Sequence, residues 1–279
     1  MLIEYFSKTY NSFNPKLFIL SQEYYMVILI SQIIWWGIYL FIHFFIKLSL
    51  TKHKQIYDTK TRYVSIIHAT LIFWLSLYDN LFNQVDKCGQ TNTEFQNHLM
   101  LFSMSYFIYD MIACIILDVS DTEMVFHHMF CITGYYTGLS YNNSANEMIR
   151  ALIVTEVSCP IMHLRMILKN YELKHTKFHN LLDFVYMTLY LIARMIYGTK
   201  ITYFTVFCWD NLLLVKIAGS FIWIQSILFS KRMIHILRHR YAEYKERKEK
   251  GVELYWLTHN KKIEELDYYK KSLKIKYVP

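Results

Sequence analysis

Seven stretches of 18 to 24 mostly apolar residues constrain this 279-residue chain more than any other feature of its sequence. A helix needs about 20 such residues to cross a hydrocarbon core of roughly 30 Å. Helices buried in a large soluble protein are the alternative, and polar residues interrupt the last four stretches. We predict an all-α fold, a polytopic membrane helix bundle with about seven spans, at residues 24–46, 63–82, 99–117, 124–141, 148–168, 181–204 and 212–229.

Basic residues are distributed unevenly along the chain. Residues 1–230 hold 16 basic and 15 acidic residues, whereas residues 231–279 hold 14 and 7, so the tail carries most of the net charge of +8. With seven crossings, 22 Lys and Arg residues fall on the side of the C-terminus and about four on the other; without the tail the ratio is eight to four. The positive-inside rule then puts the C-terminus in the cytosol or, for a mitochondrial protein, in the matrix.

The five cysteines show no CxxC spacing and lie mostly inside the apolar stretches. Cysteines in such positions are typical of small apolar core residues. We therefore expect no disulfide, no metal site and no cofactor.

The basic tail extends the last predicted span. From Lys231 the sequence predicts a charged helix that ends near Gly251. Docking of residues 231–279 on anionic lipid or on an acidic protein partner is one function for this tail, and a solvated helix that only fixes the orientation is the alternative. No groove-reading motif accompanies the charge, so nucleic-acid binding is not expected.

Ionisable residues inside the predicted spans concentrate in the membrane half nearer the basic side, with Arg194 and Lys216 as exceptions. Such groups cost about 2.5–3.5 kcal/mol each at mid-span on insertion scales and therefore tend to face the bundle interior. Two interpretations compete: a polar cavity that receives a lipid head group, or mutual neutralisation that holds the bundle together. The candidate residues are Arg62, His68, Asp110, His127, His128, Glu156, His163, Arg165 and Asp183.

The adjacent histidines limit the chemistry. Successive residues turn about 100° on a helix, so His127 and His128 cannot both face one metal ion. One of them can still act as a general base.

Four short motifs carry a family resemblance. RYVSIIHA (62–69), YFIYD (106–110), DTEMVFHH (121–128) and TEVSCPIMHLR (155–165) resemble the TLC-domain superfamily, the ceramide synthases and their relatives. The resemblance covers about residues 55–240 and implies a six-helix barrel around a central cavity. Residues 1–54 then form an N-terminal segment with an extra span, and residues 241–279 a basic tail.

The resemblance also bears on catalysis. The histidine pair of the ceramide synthases matches His127 and His128, but their His-Asp-x-x-Asp pattern does not occur here. The corresponding stretch, with Glu156 and Pro160, is similar to the non-synthase branch of the TLC-domain-containing protein 4 type. Pro160 is also expected to kink its span.

Three functions follow as expectations. The first is a lipid-binding or lipid-handling protein without catalytic activity, holding membrane lipid in the barrel. The second is a structural subunit of a larger membrane complex, for example in the mitochondrial inner membrane, with the tail as its dock. The third is an N-acyltransferase that uses acyl-CoA, with His127 or His128 as catalytic base. The family resemblance favours the endoplasmic reticulum or another endomembrane.

Overall fold

The computed structural model describes residues 19–83 and 87–274, and the fold within them is helical without strands. Most of the predicted segment before the first span lies outside these residues. Two short 3-10 turns, Leu173–His175 and Lys261–Glu265, and a π-helical segment, Leu191–Tyr197, interrupt or join the helices. The helices are α1 Gln22–Phe45, α2 His53–Phe82, α3 Glu94–Ile116, α4 Thr122–Ser140, α5 Ala145–Glu156, α6 Cys159–Asn170, α7 Lys177–Tyr190, α8 Gly198–Phe207, α9 Leu213–Glu249 and α10 Asp267–Lys274.

Side-chain caps fix where several helices begin. Ser21, Asp121 and Thr176 each accept a hydrogen bond from a backbone N–H in the first turn of α1, α4 and α7. Thr93 and Gln96 form a reciprocal capping box at the start of α3. These groups satisfy N–H donors that have no partner within the helix, which contributes about 1 kcal/mol for each cap.

Six helical segments in this part of the chain are long and apolar enough to cross a membrane: α1, α2, α3, α5 with α6, α7 with α8, and α9. The fourth predicted span corresponds to α4, which is not among the six. Its 19 residues rise about 28 Å, but the histidine pair and several hydroxyl groups make it more polar. The prediction of an all-α polytopic bundle is confirmed, with six segments of sufficient length and hydropathy in the described residues against about seven predicted.

The helices close into a ring, and α1 lies outside it. Following the packing around the ring, α2 contacts α3, α3 contacts α4, α4 contacts α9, and α9 contacts α8. The α5–α6 and α7–α8 pairs contact each other, and α5 and α6 complete the ring against α2. On the outside, α1 packs against α3, where Gln32 donates a 3.0 Å hydrogen bond to the Ser105 hydroxyl. The six-helix ring and the additional helix agree with the expected barrel and extra span.

Two breaks in regularity shape the ring. Residues 157–158 separate α5 from α6, and Pro160 lies in the first turn of α6. A backbone N–H in the first turn has no acceptor within the helix, so a proline there costs no hydrogen bond. The expected kink at this proline is therefore a break between two helices. The π-helical segment Leu191–Tyr197 stands between α7 and α8, and such segments often occur at functional sites.

The expectation of no disulfide is wrong, because Cys88 and Cys208 are bonded. Each lies in a loop just outside a helix, Cys88 before α3 and Cys208 after α8, and only the tertiary fold brings these loops together. The remaining cysteines, Cys114, Cys131 and Cys159, are free thiols inside the bundle.

A polar network surrounds the disulfide and closes this end of the ring. Asn143 donates to the Gly89 carbonyl at 2.7 Å, and Gly89 donates from its backbone N–H to Glu147 Oε1 at 3.1 Å. The Ser144 hydroxyl donates to Asn211 Oδ1 at 2.9 Å. Gly89 has φ +63°, and an added Cβ would lie 2.5 Å from Cβ of Asp210, so this position requires glycine. We call this assembly of loops the disulfide cap.

The tail folds back on its own chain. As predicted, α9 ends close to Gly251, which adopts φ +64°. Beyond it, Leu254, Ile263 and Leu266 form a small separate core. Glu246 of α9 accepts from the backbone N–H groups of residues 267 and 268, which ties α10 to α9.

Candidate functional site

A cavity lies inside the ring between α4, α5, α8 and α9. It contains about 870 Å³ of space free of atoms, part of it continuous with the outside. Its walls are mainly apolar, with small residues such as Gly134, Ala218 and Gly219 leaving room between the helices. Glu147, beneath the disulfide cap, and Thr205 lie on its wall toward that end. Concave sites with mostly apolar walls and a few polar groups are typical of small-molecule binding.

Besides Glu147, the side chains of His127, Glu156 and Arg194 contribute polar groups to the wall of this cavity. His127 comes from α4, Glu156 is the last residue of α5, and Arg194 comes from the π-helical segment. The Arg194 guanidinium donates from Nη2 to the Thr155 carbonyl at 3.1 Å, which is a backbone acceptor near the end of α5. Its Nε–H is buried without a hydrogen-bond partner. The cavity therefore combines apolar walls with a polar region.

The hydrogen bonds of His127 define its tautomer. Gln225 donates through Nε2 to the Glu123 carbonyl at 3.0 Å, so its Oε1 faces His127 Nδ1, also at 3.0 Å. Because Oε1 can only accept, the proton resides on Nδ1 and Nε2 keeps its lone pair. Cys131 Sγ lies 3.6 Å from that Nε2, one helical turn along α4.

His128 points elsewhere, as its position on the helix requires. It is buried, does not contribute to the cavity wall, and its Nε2 lies 3.6 Å from Asp110 Oδ2 on α3. This distance is beyond hydrogen-bonding range, so the contact is electrostatic only. Asp110 Oδ1 and His128 Nδ1 are also buried without hydrogen-bond partners.

His68 packs within the aromatic core. Its ring stacks on Tyr106 with a centroid distance of 3.6 Å and meets the indole of Trp35 edge-on. These contacts join α1, α2 and α3 rather than forming part of the cavity wall.

Arg62 and His163 meet between α2 and α6. Arg62 Nη1 lies 3.4 Å from His163 Nδ1, and its Nε donates to Asp58 Oδ2 at 2.8 Å. Asn170 donates to the same carboxylate oxygen at 2.7 Å. The Asp58 carboxylate therefore provides the counter-charge for Arg62 and links α6 to α2.

Arg165 and Asp183 belong to a second ionic cluster, between α6, α7 and α9. Asp183 accepts from Arg165 Nη1 at 2.9 Å and from Arg240 Nη2 at 2.7 Å. Arg240 also donates to Glu243 at 3.0 Å, and His179 lies 3.4 Å from Asp183. This buried carboxylate holds three helices together.

The nine predicted residues therefore fall into separate groups. His127 and Glu156 contribute to the cavity wall, whereas the others join helices elsewhere in the bundle. Sequence reasoning set Arg194 apart because of its depth in the membrane, yet it contributes to the same wall. Gln225 and Arg240 were missed, because an amide in an apolar span and an arginine in a basic tail give no local signal.

The ring of long apolar helices defines a polytopic helical membrane protein with a cavity between its helices. A family model described as TLC domain matches residues 58–245, about two thirds of the chain. The protein belongs to the TLC-domain family. It is similar to TLC domain-containing protein 2 of Danio rerio, 26% identical over 108 residues, which cover 38% of this chain and 44% of that protein. The family is thus confirmed, and the resemblance to the TLC-domain-containing protein 4 type stays a prediction.

Proposed function

We propose that the protein binds a membrane lipid in the cavity between α4, α5, α8 and α9 and handles it without chemical conversion. The observation that carries this proposal is the pairing of apolar walls with a polar region made by His127, Glu156 and Arg194. A lipid has the same division: its acyl chain would contact the apolar walls, and its polar group would lie beside the Arg194 guanidinium.

The histidine environment favours binding over catalysis. A catalytic histidine is commonly oriented by a carboxylate, which stabilises the imidazolium formed when it takes a proton. His127, on the cavity wall, is oriented by the neutral amide of Gln225 instead. The carboxylate of Asp110 faces His128, which is outside the cavity wall.

A glycine-to-leucine pair tests the lipid site. A Cβ at Gly219 meets only Thr205 at 4.0 Å, so the leucine side chain of Gly219→Leu extends into the cavity. The matched control is Gly37→Leu on α1, where nothing lies within 4 Å of the added Cβ. Both replacements raise helix propensity similarly.

The readout is the lipid that copurifies with the protein, measured by native mass spectrometry after mild delipidation. We expect bound lipid in the wild type and in Gly37→Leu, and a loss of at least tenfold in Gly219→Leu. Equal retention by both variants at equal thermal stability would show that the lipid lies elsewhere.

An N-acyltransferase that uses acyl-CoA is the second candidate. The observation in its favour is the lone pair on His127 Nε2, which can take a proton from an amine nucleophile in the cavity. Purified protein would then convert acyl-CoA and a long-chain base to an amide with release of coenzyme A, and His127→Ala would lose this activity. Absence of substrate consumption by the wild type removes this candidate and leaves the binding proposal intact.

The orientation of the chain follows from combining the disulfide with the charges. Disulfides persist in oxidising compartments, and both bonded cysteines lie in loops on the side poor in Lys and Arg. We infer an endomembrane such as that of the endoplasmic reticulum, with the cap in the lumen and the C-terminus in the cytosol. Protease protection of the tail in intact microsomes would contradict this orientation, and targeting to the mitochondrial inner membrane is the alternative.

A further inference from the structure

We propose that residues Tyr255–Leu257 form an anchor that inserts into the headgroup region of the leaflet on the C-terminal side and selects anionic lipid. This inference is independent of the lipid cavity. We call these three residues the aromatic anchor.

The aromatic anchor is the exposed part of a closed loop. Asn260 Nδ2 donates to the Glu253 carbonyl at 2.7 Å and closes the loop over residues 253–260. Leu254 points into the small tail core and is 8% exposed, whereas Tyr255, Trp256 and Leu257 are 52%, 61% and 62% exposed. Three consecutive large side chains thus face outward from a loop whose remaining apolar residue is buried.

Hydrogen bonds fix the height of the aromatic anchor relative to the membrane. The Tyr255 carbonyl accepts from the Lys177 N–H at 2.8 Å, and the Trp256 carbonyl accepts from the Phe178 N–H at 3.2 Å. These donors begin α7, which is part of a membrane-spanning segment, and would otherwise lack a helical partner.

The outer surface of α7 becomes apolar close to this attachment. Leu181 and Phe184 begin an exposed apolar stripe that continues through Ile192 and Ile196. Leu181 lies only three residues beyond Phe178, about 4.5 Å along the helix axis. The aromatic anchor is therefore held where the hydrocarbon region gives way to head groups, the depth that Trp and Tyr prefer.

Basic side chains give this surface its lipid preference. Lys261 and Lys262 follow the loop directly and are exposed, Glu264 and Glu265 are exposed further along the chain, and Lys177 is exposed at the attachment point. A lysine near an anionic membrane surface gains about 1 kcal/mol, and this attraction fades within a Debye length. Anionic head groups thus complement a surface whose apolar residues insert alongside them.

A spin label on the full-length protein tests the depth. Leu257→Cys carries the nitroxide, and Lys248→Cys, an exposed position on the same tail, is the matched control. The protein is placed in nanodiscs of phosphatidylcholine alone or with about 30% phosphatidylserine. Wild-type protein treated with the same reagent corrects for labelling of the native free thiols.

We expect the Leu257→Cys label to collide more often with oxygen, which concentrates in the membrane, than with a water-soluble nickel chelate. The control label should collide more often with the chelate. Phosphatidylserine should increase this difference. Lys261→Gln with Lys262→Gln should reduce the preference for phosphatidylserine by about fivefold for each lysine, whereas Glu264→Gln with Glu265→Gln should not reduce it.

Equal access of the nickel chelate to both labels in either nanodisc would overturn the proposal. A label that is accessible in nanodiscs but shielded in native membranes would also overturn it, because that result indicates a protein partner for this surface. Unchanged thermal unfolding of each variant shows that the fold has been kept.

Discussion

Removing the Cys88–Cys208 disulfide should destabilise the bundle more than removing any other single bond of the disulfide cap. The bonded residues are 120 apart in sequence, so the bond closes a loop that includes α3 to α8. In the chain-entropy treatment, closing a loop of this length raises the free energy of the unfolded chain by about 5 kcal/mol at 25 °C. This is an upper bound here, because spans that stay inserted already restrict the unfolded chain, and about 2–4 kcal/mol is the usual range.

The double variant Cys88→Ser with Cys208→Ser makes this measurable. Unfolding is followed by circular dichroism during titration with sodium dodecyl sulfate, with and without reductant. The variant should unfold at a lower detergent fraction than the oxidised wild type, and reductant should shift the wild type but not the variant. Cys159→Ser is the matched control, because Cys159 is a free thiol whose hydrogen bond to the Thr155 carbonyl a serine hydroxyl can keep.

Thiol counting gives an independent check. Denatured but unreduced protein should react with three equivalents of maleimide, and reduced protein with five. Five equivalents before reduction, or identical unfolding of the double variant and the oxidised wild type, would refute the reasoning.

Three further predictions concern the tail, an ionic cluster and the cap. Burial, followed by the charges of Lys174 and Arg240, lowers the pKa of His175 to about 3. Below the ordinary histidine pKa of about 6.5, the side chain binds a proton when the tail is unpacked but not when it is packed. The packing of the tail should therefore lose about 1.4 kcal/mol of stability at pH 5.5. Hydrogen exchange over residues 252–270, corrected for pH, should quicken about tenfold, and His175→Phe should abolish this change; an unaltered pH dependence contradicts it. Asp183→Asn should destabilise the bundle by about 3–5 kcal/mol because it leaves Arg165 without its buried counter-charge and Arg240 with Glu243 alone, and an unchanged thermal midpoint would contradict that estimate. Gly89→Ala should lower the thermal midpoint through its left-handed backbone and the contact with Asp210, and an unaltered midpoint would show that the cap adapts.

The sequence predicted the membrane class because crossing a bilayer imposes a strong local requirement. About 20 apolar residues are needed for each span, and such a run is visible without knowledge of its neighbours. The same requirement explains why the fourth predicted span, α4, was the least clear of the seven. The α4 helix borders the cavity and contributes His127 and polar contacts, so its composition departs from that of a span exposed to lipid.

The candidate site shows the limit of local signals. Depth in the membrane predicts that ionisable residues face the bundle interior, but depth gives no direction around a helix. Adjacent His127 and His128 have nearly the same depth, yet only His127 contributes to the cavity wall. Arg194 contributes to that wall because the π-helical segment and the ring closure bring it there.

By itself, the sequence determined the helical class, the approximate spans, the end of the tail helix and the family motifs, because each depends on residues close together in the chain. Only the tertiary structure decided the disulfide, the partners of the buried charges and the cavity. Cys88 and Cys208 lie in separate loops that meet when six helices close into a ring. Such pairings depend on helix order and rotation, which long-range packing fixes and a single apolar stretch does not encode.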